Sequence, residues 1–251
     1  MDLHRRYLQQ AAWTAELRHY LLTKVGLAGP GRILEVGCGT GVILKELANP
    51  RAGARARPQA VHGLDISRDA LVQSRTHQAS ARLCQGDARL LPYAEGSFDL
   101  TVCHFLLLWV SEPEQALREM RRVTRAHGHV LALAEPDYSA RIDLPAELSS
   151  LGLLQARALA ARGADTKIGS RLASLFHDAG MRIIETGTIA PWKPEAWTDQ
   201  EFEGEWEILR DDLRGMLDPR ELARLKKSDR EARRAGVRTL HVPTYFAHAQ
   251  V

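Results

Sequence analysis

The sequence predicts an α/β protein built on one doubly wound, mostly parallel sheet. Short apolar segments alternate with amphipathic helices over most of the 251 residues, which is the pattern of consecutive βαβ units. A glycine cluster, Gly37-Cys38-Gly39-Thr40-Gly41, lies between an apolar segment and a helix, as in the opening half of such a unit. The length favours a single domain, 1–251, over two small ones.

The other elements follow in chain order. Residues 1–30 carry apolar positions at helical spacing and predict one or two helices, ended by the glycine- and proline-containing run 26–31. The predicted strands are Arg32–Val36, Ala60–Asp65, Arg82–Gln85, Phe98–Cys103, 128–134, 181–189 and 239–251. The helices between them are expected to begin near Val42, Ser67, Ser111, Pro145 and Thr166, and residues 51–59 are expected to form a loop.

Composition and charge exclude several classes of protein. With 45% hydrophobic and 26% charged residues, the chain is neither disordered nor fibrous. The longest uncharged apolar run, 105–110, is too short for a membrane span, and the first residues lack the features of a secretory signal. The three cysteines are expected to be free thiols in the cytoplasm. The net charge of only +3 argues against a nucleic-acid partner.

The glycine cluster is suited to binding a ligand through the backbone. Glycines allow close approach, and the helix that follows offers free N–H donors. A dinucleotide fingerprint fits poorly, because Val42 stands where the last small residue is needed. Asp65, at the end of the second strand, can accept two hydrogen bonds from a ribose, and Ile66 offers an apolar face to an adenine ring. A helix cap is the alternative for Asp65. Asp87, which follows Gly86, is either a second ligand-binding carboxylate or a simple turn residue.

Five segments together resemble class I S-adenosylmethionine (SAM)-dependent methyltransferases, in the type 11 branch that includes ubiquinone- and menaquinone-pathway enzymes. The segments are 32–41 (Arg-Ile-Leu-Glu-Val-Gly-Cys-Gly-Thr-Gly), 63–67 (Gly-Leu-Asp-Ile-Ser), 86–88 (Gly-Asp-Ala), 91–100 and 119–131. The resemblance covers roughly 30–137 and implies a seven-stranded, Rossmann-like sheet with SAM as cofactor. It implies that the cofactor contacts Glu35, Gly37, Cys38, Gly39, Asp65, Ile66, Asp87, Ala88 and His104. In this resemblance the carboxylate of Asp87 contacts the amino group of adenine.

The resemblance also divides the chain into parts. We expect N-terminal helices in 1–30, a SAM-binding core in 31–190, a helical insertion in 191–236 and the last strand in 237–251. In the insertion, Phe202, Trp206, Leu209, Leu213 and Met216 recur at spacings of four and three residues and predict an amphipathic helix. This stripe is expected to cover the carboxyl edge of the sheet as a lid, or else to form a dimer interface. The acidic first half and basic second half of the insertion alternatively form solvated faces that pair with each other.

The segment after the fourth strand limits which methyl acceptors are expected and whether a metal is needed. It contains neither Asn/Asp-Pro-Pro-Tyr/Phe nor Pro-Cys, and no Asp placed to hold magnesium, so we expect metal-independent transfer to the O, S, N or C atom of a small acceptor. His104 is the candidate catalytic base, if its pKa is near neutral; alternatively it only lines the cofactor pocket. The candidate substrate residues are Tyr7, Trp13, Trp109, Glu135, Asp137, Tyr138 and Trp206.

Other functions stay open on the sequence alone. Residues 135–138 are equally consistent with a structured loop. An RNA or protein methyltransferase is the main alternative function, and an NAD-dependent dehydrogenase or a silent nucleotide-binding module is a weaker one. Because the sulfonium of SAM is already an activated methyl donor, a general base is not required for every acceptor. The oligomeric state is open between a monomer and a homodimer.

Overall fold

The structure is a computed structural model that describes residues 3–26, 31–48, 58–77, 80–189 and 198–251. Most of the loop expected at 51–59 and the first part of the insertion therefore lie outside the described residues. The described strands are β1 Arg32–Val36, β2 Ala60–Asp65, β3 Arg82–Gln85, β4 Phe98–Cys103, β5 Thr124–Pro136, β6 Ile142–Leu144, β7 Arg182–Thr188, β8 Thr239–His241 and β9 Thr244–Gln250. The described helices are α1 Leu3–Trp13, α2 Ala15–Val25, α3 Val42–Ala48, α4 Arg68–His77, α5 Pro113–Val123, α6 Ser149–Ala161, α7 Ile168–Asp178, α8 Asp199–Asp212 and α9 Pro219–Arg234.

Seven of these strands form one sheet in the order β3-β2-β1-β4-β5-β9-β7. The pairs among β1 to β5 are parallel, and β9 runs antiparallel to both β5 and β7. The strand order reverses beside β1, where ligands of open α/β sheets bind at the carboxyl ends of the strands. The predicted doubly wound, seven-stranded α/β fold is confirmed.

The prediction of a single last strand over 239–251 is wrong in detail. Thr239–His241 pairs instead with Ile142–Leu144 in a separate two-stranded antiparallel sheet, and only Thr244–Gln250 joins the main sheet. The break falls at Pro243, which has no N–H to donate to a ladder. Its carbonyl oxygen accepts a hydrogen bond from the backbone N–H of Asp137 at 2.7 Å. This small sheet, β6 with β8, therefore stands beside the carboxyl end of β5.

Alternate residues of the central strands enter two cores, one on each face of the sheet. Leu34 and Val36 of β1 pack in a core with residues of α5 and α7. Ile33 packs on the opposite face with residues of α2 and α3. No helix among the described residues is long and apolar enough to cross a membrane.

A third core joins α6, α8 and α9. Its members are buried apolar side chains, among them Leu148, Leu151, Phe202, Trp206, Leu209, Leu213 and Leu225. Four of the five residues in the predicted stripe are therefore buried within the chain itself, while Met216 is 41% exposed. Glu203 of α8 pairs with Lys226 and Arg230 of α9, as the alternative of paired charged faces predicts.

Candidate active site

The glycine cluster forms a tight turn between β1 and α3. Gly37 and Gly39 have φ angles of +74° and +50°, in the left-handed region that favours glycine. A Cβ atom on Gly37 would lie 2.6 Å from Leu106 Cδ1, and one on Gly39 would lie 2.7 Å from Tyr7 Cε2. Both positions therefore need glycine for conformation and for space.

Asp65 connects this turn to the end of β2. Its Oδ2 accepts a hydrogen bond from the Gly39 N–H at 2.7 Å, and its Oδ1 accepts one from the Ser67 N–H at 2.8 Å. Each carboxylate oxygen retains a further lone pair for a ligand. The neighbouring Ile66 is 70% exposed. Ser67, whose Oγ accepts a hydrogen bond from the Ala70 N–H at 3.2 Å, supplies the side-chain cap of α4.

Glu35 places a buried carboxylate behind the glycine turn. The residue is 2% exposed, and its Oε2 has no hydrogen-bond partner among the described atoms. Burial raises the pKa of this carboxyl well above its usual range, although the charge of Arg18 opposes the shift. A buried acceptor without a partner is costly, so this oxygen is suited to a donor supplied by a ligand.

A cavity of about 140 Å³ lies at the carboxyl edge of the sheet, beyond β4 and β5. Phe105, which follows β4, and Pro136, at the end of β5, form its floor. Its walls come from helix α1, the turn to α2, the small sheet and helix α8, through Arg6, Gln10, Trp13, Thr14, Arg141, Leu240, Glu205 and Ile208. The cavity is therefore enclosed mainly by segments outside the central sheet.

Two pairs of consecutive residues connect this cavity to the glycine turn. Phe105 lines the cavity, while Leu106 packs against Gly37. Arg6 lines the cavity, while Tyr7 packs against Gly39. Phe105 has a φ of +51°, which is uncommon for a residue other than glycine, and it turns the chain between the two sites.

Comparisons with known proteins agree with this geometry. Residues 34–132 match the family described as "Methyltransferase domain". A malonyl-[acyl-carrier protein] O-methyltransferase from Erwinia pyrifoliae is 35% identical over 127 residues, which cover 51% of this chain and 46% of the relative. A demethylmenaquinone methyltransferase from Renibacterium salmoninarum is 34% identical over 118 residues, 47% of each chain. This part of the chain is therefore similar to methyltransferases.

These similarities support the predicted resemblance to type 11 methyltransferases, and a demethylmenaquinone methyltransferase is one of the relatives. The chain spans about half the length of these two curated relatives. A solved structure of a sarcosine dimethylglycine methyltransferase from Galdieria sulphuraria has a TM-score of 0.60 at 14% identity, over 94% of this chain and 84% of that one. At that identity the likeness shows the fold alone.

The structure places His104 away from the cavity in which a base would act. Its Nε2 lies 2.9 Å from the Thr14 hydroxyl, and it is absent from the cavity lining. Burial, together with the charge of Arg18, lowers the pKa of His104 to about 3. A base would need a pKa near neutral, and His104 does not meet this condition.

Two of the predicted substrate residues, Glu135 and Asp137, instead accept hydrogen bonds from backbone N–H groups of nearby loops. The buried Glu135 carboxylate accepts hydrogen bonds from the backbone N–H groups of Leu106 at 3.0 Å and Leu107 at 3.1 Å. Burial raises its pKa to about 7, against these bonds. Asp137 accepts from the Ser139 N–H at 3.0 Å and caps a short turn. Neither lines the cavity, so the structured-loop alternative describes both.

Of the remaining predicted substrate residues, Tyr7 packs on Gly39 of the glycine turn and does not line the cavity. The other four divide into two groups. Trp13 and Tyr138 line the cavity, and burial raises the pKa of Tyr138 to about 12. Trp109 is 46% exposed, and Trp206 lies in the helical core of α8 and α9, so neither reaches the cavity. Helix α8 lines the cavity through the neighbouring Glu205 and Ile208 instead.

Asp87 follows β3 and forms part of a turn. Its carboxylate accepts hydrogen bonds from the Arg89 N–H at 2.8 Å and from Arg89 Nη2 at 2.7 Å. These bonds lower the pKa of Asp87. Its neighbour Ala88 is 8% exposed. The turn geometry accounts for Asp87 by itself, and contact with adenine stays a prediction.

Sequence reasoning missed most of the polar groups in the cavity. They come from separate segments of the chain and include Arg6, Gln10, Arg141, Gln155, Glu205, Arg233, Arg238 and His241. One signal was available, because residues 6, 10 and 13 share one face of a helix. No comparable pattern links the other segments.

Proposed function

We propose that this chain transfers a methyl group from SAM to a small-molecule acceptor bound in the cavity. The observation that carries the proposal is the connection between the two sites, made by Phe105 with Leu106 and by Arg6 with Tyr7. A donor held over the glycine turn and an acceptor in the cavity would share these residues as a common wall. The match of residues 34–132 to the methyltransferase domain family supports the identity of the donor.

The residues around the turn fit SAM. Asp65 would accept hydrogen bonds from the ribose hydroxyls, and the exposed Ile66 would lie against the adenine ring. The unpartnered Oε2 of Glu35 would accept from the amino group of the methionine part. The backbone of Gly37 to Gly39 would approach the same part closely, and Asp87 with Ala88 would border the adenine.

Cys38 has no chemical role in this proposal. Burial raises the pKa of its thiol, and the charges of Glu35 and Asp65 raise it further. The side chain is 4% exposed and packs in the core on the α3 side of the sheet. A small residue simply has to fit between the two glycines.

The chain's contribution to the chemistry is alignment and exclusion of water. When bound, SAM supplies an activated methyl group on its sulfonium. Helix α1 covers both sites, with Tyr7 on Gly39 and with Trp13 in the cavity wall. The Nε2 of His104 lies 2.9 Å from the Thr14 hydroxyl and its pKa is lowered, so the proposal gives His104 no role as a base. In this proposal the acceptor is nucleophilic by itself, or loses its proton to the cavity carboxylate of Glu205.

Calorimetry on Asp65→Ala tests the cofactor assignment. Loss of two charge-assisted hydrogen bonds to ribose should weaken SAM binding by about 2–4 kcal/mol. Asp178→Ala, which removes an exposed carboxylate at the end of α7, should leave it unchanged. Asp65→Asn, which keeps an acceptor for the Gly39 N–H, separates loss of ribose binding from loss of the turn. Wild-type SAM affinity in both Asp65 variants would show that the assignment is wrong.

The activity itself needs a second assay. Transfer of label from tritiated SAM should be followed over a panel of small hydroxyl, thiol, amine and quinone-precursor acceptors. Binding of NADH with no response to SAM would favour a dehydrogenase. Methylation confined to RNA or protein, with binding that weakens steeply with salt, would replace the small acceptor by a macromolecule.

A further inference from the structure

One face of helix α1 presents a guanidinium group to the cavity. Arg6, Gln10 and Trp13 recur at spacings of four and three residues and all line the cavity. Such positions lie on one side of a helix. Arg6 therefore faces the same space as the aromatic side chain of Trp13.

The other three arginines of the cavity are paired behind its wall. Arg141 Nε lies 2.7 Å from Asp143 Oδ2, and Arg238 Nη2 lies 2.5 Å from Asp143 Oδ1. Arg233 Nε lies 3.2 Å from Asp229 Oδ2, and Arg238 also pairs with Asp229. These three guanidinium groups are thus held by two carboxylates that are both buried.

Glu205 supplies a third negative charge near the cavity, in addition to those of Asp143 and Asp229. It is 8% exposed and lines the cavity. Burial raises the pKa of its carboxyl, and the opposing charges are, in decreasing order, those of Arg141, Arg233 and Arg6. Glu205 therefore offsets mainly the paired arginines, and Arg6 acts on it least of the three.

Arg6 is left as the excess charge of the cavity. No described residue forms a hydrogen bond or an ion pair with its guanidinium group. Four guanidinium groups thus face three carboxylates around one cavity, with one positive charge uncompensated. A partly buried cation in such a place gains most from a bound anion.

The apolar part of the cavity lining and the cavity volume indicate the size and polarity of the rest of the ligand. Trp13, Phe105, Ile208 and Leu240 supply apolar surface. The cavity volume of about 140 Å³ is close to that of an engineered apolar cavity of about 150 Å³ that binds benzene. The ligand body is therefore apolar and about as large as one six-membered ring.

We infer that the acceptor of this chain is a small monocarboxylic acid with an apolar body, whose carboxylate is bound by Arg6. A single uncompensated guanidinium matches one negative charge and the planar geometry of a carboxylate. A phosphate ester, with nearly two charges at pH 7, would leave one unpaired. The inference rests on the proposed function only in treating the cavity as the acceptor site.

Paired ligands that differ only in charge test the inference. Benzoate, phenylacetate and hexanoate are each compared with their amides by calorimetry, first without SAM and then with the demethylated cofactor product. At least one carboxylate should bind about tenfold more tightly than its amide. Arg6→Gln should remove that preference, while the affinity for the amide stays unchanged. Arg6→Lys should retain part of it, because the charge is kept.

Arg157→Gln is the matched control, since it removes one exposed guanidinium from α6 and should leave every affinity unchanged. The inference is wrong if no carboxylate outbinds its amide, or if Arg6→Gln keeps the preference. It is also wrong if phenyl phosphate binds more tightly than benzoate. SAM affinity is measured in the same samples. A protein that binds carboxylates through Arg6 but not SAM would refute the proposed function and leave the anion site standing.

Discussion

Asp229 is the side chain on which the helical part of the cavity wall depends most. It is 2% exposed, and its Oδ2 accepts from Trp206 Nε1 at 2.8 Å and from Arg233 Nε at 3.2 Å. Its Oδ1 accepts from Arg238 Nε. Asp229→Ala would leave an indole N–H and two guanidinium groups without this acceptor. Breaking a buried ion pair by removing one partner costs about 3–5 kcal/mol, and Arg238 retains Asp143, so we expect a loss of about 3–4 kcal/mol.

Urea unfolding followed by the change in tryptophan fluorescence measures this loss. Glu231→Ala is the control on the same helix, because Glu231 is exposed and lies 3.8 Å from Lys227; it should change the free energy of unfolding by less than about 0.5 kcal/mol. Asp229→Asn, which keeps the shape and one acceptor, should fall between the two. A loss below about 1 kcal/mol for Asp229→Ala would mean that the buried network contributes little to stability.

Two further predictions concern the glycine turn and the response to acid. Gly39→Val should abolish SAM binding, because its Cβ would lie 2.7 Å from Tyr7 at a φ of +50°. The control Gly215→Val is strained at a φ of +80° but has nothing within 4 Å, so it should bind SAM normally. Equal SAM binding by both variants would contradict the assignment. Burial and the nearby His129 lower the pKa of His248 from 6.5 to about 4. As the pH falls, the unfolded chain therefore takes up the proton before the folded chain does. The free energy of unfolding is unaffected by His248 above pH 6.5 and decreases as the pH drops towards 4. Between pH 7 and pH 4.5 the wild type should lose about 2 kcal/mol more than His248→Gln, as measured by urea unfolding at each pH; parallel losses would show that His248 is not the group responsible.

The central sheet could be predicted because its information is local. The bounds of each strand from β1 to β4 follow from its own residues, and the glycine turn comes directly after β1. The last strand was predicted too long because its alternation of apolar residues continues across Pro243. The proline itself was the available signal, since it cannot donate to a ladder.

The acceptor site could not be predicted in the same way. Glu135 and Asp137 stand at the carboxyl end of β5, where a ligand site is expected, but backbone N–H groups use their carboxylates. Sequence shows that a carboxylate is present and does not show which donors reach it. The cavity arginines lie more than two hundred residues apart, from Arg6 to Arg238, and the sequence does not show that they line one cavity.

Helix α1 links the two sites through adjacent side chains. Tyr7 packs on Gly39, where burial, with the charge of Asp65, raises its pKa. The preceding residue, Arg6, faces the cavity, and His4 Nδ1 lies 2.8 Å from the Thr40 hydroxyl of the same glycine cluster. Since consecutive residues on a helix point in different directions, one short helix can cover the cofactor turn and present a charge to the acceptor at once. A shift of α1 must therefore alter both sites together, so a change in acceptor preference at Arg6 is meaningful only where SAM affinity is unchanged.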